Sequence, residues 1–255
     1  MADHAVDPQA DALRAFTILC ALRPDLTAPD WGGGLIVMCG LARGGAALSV
    51  ASNIAGAASL AIDERVDVCR AALRSGACDF VVNSVDEALR VLKNEIRQRR
   101  PVSVGLAMGG TAAVEQLLER GVLPQLFTAY GSGSEAAGTA GLGDAALDAA
   151  AWQFLRQGCQ IVDFDGSLGG VAGAIDAYAR LGQFIHERGL QYESLAFASG
   201  EELRAFDARL LEVIPAGDTR HRWCAAVGRF FHRERPSRRV AFLTPKELGQ
   251  TKIGS

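Results

Sequence analysis

Aromatic residues are scarce in this 255-residue chain, at 7% against 49% hydrophobic residues overall. A core here has to come from closely packed Ala, Val, Leu and Ile, a packing that 29 glycines allow. Metal-binding spacing is also missing. The six cysteines (Cys20, Cys39, Cys69, Cys78, Cys159, Cys224) contain no Cys-x-x-Cys pair, and His4, His186, His221 and His232 stand in no ligand spacing with them. A zinc site is therefore not expected, and scattered thiols fit a reducing cytosol. No apolar run approaches the roughly 20 residues that span a bilayer. The N-terminus carries Asp3, Asp7 and Asp11 in place of the basic and apolar regions of a signal peptide. A formal charge of −3 gives no general attraction to nucleic acid or to an anionic membrane. The expectation is a cytoplasmic protein with a small-molecule ligand, no nucleic acid and no membrane partner.

What is present is an alternation. Residues 35–39, 59–63, 80–82, 102–106, 126–128 and 160–164 read as short apolar strands. Residues 44–57, 64–75, 85–99, 112–120 and 145–157 read as helices between them. Continuously apolar strands imply a parallel sheet covered on both faces, an α/β doubly wound architecture of Rossmann type. Three segments follow: a helical lead at 1–31, a core at 32–170, and C-terminal helices at 171–255 that complete the same domain. Within that last segment, residues 220–239 hold seven arginines. They read as a solvated tail, or as a surface for a partner protein.

A parallel sheet binds ligands outside the carboxyl ends of its strands. Here those ends carry Gly40, Asp63, Asn83, Gly109-Gly110, Tyr130-Gly131-Ser132-Gly133-Ser134 and Asp165-Gly166-Ser167. The first strand runs into Gly40-Leu41-Ala42-Arg43-Gly44-Gly45, which opens a helix, and Asp63 ends the second strand 19 positions beyond Gly44. Each part suits a dinucleotide: glycines admit a diphosphate, a helix start supplies N–H groups and a positive dipole end, and an acid accepts from ribose. The spacing is G-x-x-x-G-G, not G-x-G-x-x-G, so the general fingerprint is imperfect.

Residues 34–47, 54–63, 76–79, 85–89, 102–106 and 120–128, in that order and spacing, resemble the central NAD-binding domain of the urocanase family. The likeness covers 32–143. It implies a Rossmann-like fold and NAD as cofactor, used in that family as an electrophile while water is added to urocanate. It also implies site positions. The family's first glycine loop falls on Arg43, Gly44 and Gly45, and its ribose-binding glutamate on Asp63. Its Asn-Ala pair falls on Gly109 and Gly110, and its Gln-Thr-Ser-Ala-His loop on residues 130–134, where Tyr130, Ser132 and Ser134 stand. The family's later arginine falls on Val68, which cannot pair with phosphate, and its reactive-cysteine segment finds no counterpart. The resemblance thus favours dinucleotide binding over urocanate hydration.

Three functions are open at this point. The chain binds NAD or a related dinucleotide through Gly40, Arg43, Gly44, Gly45, Asp63, Gly109 and Gly110. Alternatively, Tyr130, Ser132, Ser134, Asp165 and Ser167 define a pocket remodelled for another small anion or metabolite. Or the chain is a non-catalytic partner subunit. No residue is singled out as a catalyst: Asp63, Asp163 and Asp165 are strand-end carboxylates of the kind that cap helices, and no histidine is placed beside a serine. The Ala-, Gly- and Ser-rich helix at 44–57 can pack closely on most sides, so a homodimer is expected.

Overall fold

The computed structural model describes residues 7–23, 31–131, 145–232 and 237–251. The chain divides into two compact units, one of residues 30–178 and one that joins 1–29 to 179–255. Helix α1 (Pro8–Ala21) belongs to the second of these.

In the first unit, β1 (Leu35–Cys39), α2 (Arg43–Ala55), β2 (Ala58–Ile62), α3 (Val66–Ser75), β3 (Phe80–Val82), α4 (Val85–Arg97) and β4 (Val102–Leu106) follow one another. Then come α5 (Gly110–Glu119), β5 (Leu126–Ala129), α6 (Ala145–Arg156), β6 (Gln160–Asp163) and a two-residue β7 (Ile175–Asp176). The sheet order is β3-β4-β2-β1-β5-β6-β7, and every pairing is parallel. The expected doubly wound fold is therefore present. The chain moves outward from β1 through β2, then returns across it to β5, so winding reverses between β1 and β5. In sheets of this type that reversal is where ligands bind.

The apolar runs read as strands because both faces are covered. Leu35, Val37, Leu60, Val104 and Phe127 pack beneath α4, α5 and α6 in one buried cluster. On the other face α2 lies on a seam of small polar residues. Ser49 donates to the Ala77 carbonyl, Ser59 to Ser103, and Ser103 to the Ser49 carbonyl. Small side chains let the helix approach closely, and these bonds satisfy the hydroxyls that the approach buries. Every residue of α2 from Ala47 to Ala55 is buried within one chain.

In the second unit, expectation and structure differ. Residues 171–255 are not helices alone. Besides α7 (Ala177–Glu187), which crosses the unit boundary, α8 (Gly200–Val213), α9 (Thr219–Phe231) and α10 (Pro245–Thr251), they form β8 (Gln191–Ala196) and β9 (Arg238–Leu243), an antiparallel pair. Residues 179–255 group with 1–29, and within this unit the rings of Phe16 and Trp223 lie 5.8 Å apart, tilted by 37°. Three of the seven arginines expected in a solvated tail or partner surface are engaged in ion pairs within this unit. Arg220 meets Asp218 and Glu247 at 2.7 and 2.8 Å and donates to the Phe242 carbonyl. Arg239, 3% exposed, pairs with Asp207, and Arg238 pairs with Asp7.

The Arg220 network generates a prediction. Both of its carboxylates are mostly buried, and removal of their shared cation leaves them uncompensated. Arg220→Ala should destabilise the protein by about 3–5 kcal/mol, the cost of breaking a buried ion pair from one side. Urea unfolding of wild type and variant measures it. A loss of only a few tenths, as for an exposed pair, would show the cluster to be solvated.

Candidate functional site at the glycine loop

The loop that leaves β1 starts at Gly40, whose φ of +92° lies in the left-handed region that glycine adopts without a steric penalty. Helix α2 then begins so near this turn that a Cβ on Gly45 would overlap the Gly40 carbonyl, whose carbon lies 2.9 Å from that position. Gly44 has a different neighbour. Its Cβ would collide with the ring of Tyr130, with Cδ1 at 2.7 Å and Cζ at 3.1 Å. Gly45 is thus required by the protein's own backbone before any ligand is considered, whereas a side chain at Gly44 would have to displace the Tyr130 ring.

Tyr130 follows β5 directly. Its N–H donates to the Cys39 carbonyl at 2.8 Å, and its ring lies 5.7 Å from that of Phe164. The next residue, Gly131, donates its N–H to Asp165 Oδ2 at 3.0 Å, and Asp165 Oδ1 accepts from the Ser167 N–H. Asp163 accepts from the N–H groups of Asp165 and Gly166. These carboxylates brace turns, as short polar side chains do after strands.

Asp63 is buried at the end of β2 and fully engaged. Oδ2 accepts from the Leu41 N–H at 2.9 Å and from Arg65 Nη2 at 3.0 Å, while Oδ1 accepts from the Arg65 N–H and Nε. A carboxylate offers about four lone-pair positions, so none is left for a ribose hydroxyl while Arg65 stays. Burial alone would raise the carboxyl pKa. The hydrogen bonds from Arg65 and from the Leu41 N–H outweigh it and hold the group below its usual 3.8. The bond to the Arg65 N–H also explains why α3 starts at Val66 and not at residue 64. Sequence reasoning missed Arg65; the signal was an arginine two residues after a strand-end acid.

The Gly109-Gly110 pair opens α5. Gly109 is its N-cap and offers no side chain to cap it. A Cβ at Gly109 would meet nothing within 4 Å, so the approach is open, and one at Gly110 would lie 3.5 Å from Cys39 Sγ. Helix α2 likewise starts without a side-chain cap. Two helix N-termini, each the positive end of a dipole, thus meet beside the end of β1.

Gly40, Gly44, Gly45, Asp63, Gly109, Gly110 and Tyr130 accordingly gather at one rim. Arg43 opens α2, but its side chain, like Ser132 and Ser134, lies outside the described residues. All six cysteines are buried free thiols. Burial pushes Cys78, Cys159 and Cys224 up to about 12, far from thiolate chemistry at neutral pH. Among the described residues no cluster of three or more His, Cys, Asp or Glu could hold a metal, and no helix is long and apolar enough to cross a membrane. A cleft of about 240 Å³ lies at the opposite edge of the sheet, lined by Gly33, Leu35, Leu92, Leu123 and Gln125.

Sheet order, helices on both faces and a glycine-rich turn at the winding reversal define a Rossmann-like α/β protein. The family model described as the Urocanase Rossmann-like domain matches residues 15–156, more than half of the 255 residues. The chain belongs to the urocanase family through that domain.

Two outcomes follow from this geometry. Gly45→Ala should destabilise the protein without any ligand, by about 1–3 kcal/mol, as overpacking against backbone does; an unchanged denaturation midpoint would show that α2 can move off Gly40. Asp63 also predicts a pH dependence. Its folded pKa is depressed, so its contribution is complete above the unfolded value of about 3.9 and fades as pH falls through the lower folded value. Asp63→Asn should cost about 1–3 kcal/mol at pH 7 and make the acid limb of the stability curve shallower. An acid limb that superimposes on wild type would contradict the strut.

Proposed function

We propose that this chain binds NAD or a related dinucleotide across the C-terminal ends of β1 and β5, with the diphosphate at the N-termini of α2 and α5. One observation carries the reading: two helices start without a side-chain cap beside the β1 end, α2 at Arg43 just before Gly44 and Gly45 and α5 at Gly110 after Gly109, where the sheet's winding reverses. A diphosphate is the group that such a pair of dipole ends and free amides stabilises best. Membership of a family whose domain of this type is associated with NAD supports the same ligand.

The fit is uneven along the ligand. Gly109 leaves open space for a phosphate, whereas Gly110 already lies against Cys39. Asp63 would serve a ribose only after Arg65, whose side chain is 44% exposed, swings away. That engagement favours a second reading, a smaller anion held at the same rim without a ribose contact. Urocanate hydration is not part of the proposal, because the buried thiols supply no reactive cysteine.

Calorimetric titration of NAD and of inorganic pyrophosphate into the protein separates the two readings. The dinucleotide reading expects NAD to bind more tightly. Binding of pyrophosphate alone would leave the smaller anion, and no heat with either at millimolar concentration would end both. With NAD and urocanate together, urocanate absorbance should stay constant. Turnover of about 1–1000 per second, the ordinary range of enzymes, would overturn the exclusion of hydration.

A further inference from the structure

We propose that the site takes a dinucleotide whose adenosine ribose carries a 2′-phosphate, and that Arg65 is the residue that recognises it. The inference rests on the dinucleotide reading and names the ligand class of that same site. In folds of this type the end of the second strand faces the adenosine ribose. An acid there accepts from a free 2′-hydroxyl, whereas an arginine nearby accommodates a 2′-phosphate. Here β2 is followed by both, Asp63 and Arg65, and their geometry differs in what it leaves available.

Asp63 is buried, and its two oxygens receive the Leu41 N–H, the Arg65 N–H and two guanidinium N–H groups. Arg65 is the reverse. Its side chain is exposed, and it gives Asp63 only Nε–H and one hydrogen of Nη2. Nη1 and the second hydrogen of Nη2 have no partner among the described residues. A hydroxyl arriving here must break the pair to reach an acceptor. A phosphate needs donors, and it finds them with the pair intact. The pair is also anchored where a ligand would meet it. Asp63 holds the glycine loop at Leu41, just before α2 begins at Arg43, and Arg65 is fixed as the N-cap of α3. A planar guanidinium held in place in this way loses little freedom on meeting an anion. Glu64 and Asp67 flank it, both exposed, and neither forms an ion pair with it among the described residues. Salt screens such exposed charges over about 8 Å, whereas a phosphate touching Arg65 makes charge-assisted hydrogen bonds.

The test is calorimetric titration of NAD and of NADP, which differ only in the 2′-phosphate, into wild type and Arg65→Ala. Wild type should bind NADP about tenfold more tightly than NAD, the scale expected of hydrogen bonds between charged groups. Arg65→Ala should lose that preference, with NADP weakened about tenfold. NAD should bind the variant as before or more tightly, because Asp63 is then open to the hydroxyl. Its NAD binding also reports that the variant is folded. Arg65→Gln, which keeps an amide donor for Asp63 but no charge, should lose the preference too, and it decides the matter if Arg65→Ala does not fold. Equal affinities in wild type, or tighter binding of NAD, would overturn the inference alone and leave the dinucleotide site standing. A preference for NADP that survives in the folded variants would do the same. No heat with either dinucleotide would remove the dinucleotide reading and the inference with it.

Discussion

The site depends on one close approach, that of Gly45 to the Gly40 carbonyl. It fixes where α2 begins relative to the end of β1, and so where the helix aims its first amides. The approach is possible only because the α2 face of the sheet is built from small residues. Ser49, Ser59 and Ser103 occupy positions where larger side chains would lift the helix away, and they bond to one another and to nearby carbonyls. Core packing and site geometry are thus the same constraint. A Cβ at Gly45 would move the helix end and, with it, the anion seat proposed there.

Around that fixed point the protein satisfies its own rim. Asp63 ties the glycine loop to the start of α3 through Leu41 and Arg65, and Tyr130 covers Gly44. In a dinucleotide fold these are the positions that usually face ribose and diphosphate. A polar group with its hydrogen bonds already made yields them to a ligand only in exchange for others of similar strength. The open part of the rim is at Gly109, at the start of α5. The arrangement differs from a site held ready, and it explains how family membership and altered contact residues coexist in one chain.

Most of the first unit was legible in the sequence. Strands β1, β2, β4 and β5 are buried along their length, and mainly apolar, because sheet neighbours and helices on both faces cover them. The second unit was harder to read. In β8 exposed and half-buried residues alternate through Tyr192, Glu193 and Ser194, and β9 opens on Arg238-Arg239. Arginines in a strand read as tail, because nothing local shows that Asp207 will neutralise one of them from α8. The candidate site was legible in part for the same reason. Gly40, Gly44, Gly45, Gly109 and Gly110 stand out by type and place. The contact between Gly44 and the Tyr130 ring links residues 86 positions apart, and no local pattern announces it. Asp63 was visible as a strand-end acid, but its engagement with Arg65 is a matter of side-chain geometry.

The proposed function puts ligand binding where α2 and α5 begin, at the C-terminal ends of β1 and β5. Amide resonances of isotopically labelled protein, followed by NMR while NAD is added, test it most directly. The residues whose amides shift should cluster at 40–45, 109–111 and 130–131. Shifts gathered instead around Gly33, Leu123 and Gln125, at the cleft on the other edge of the sheet, would contradict it, as would no shift at millimolar NAD.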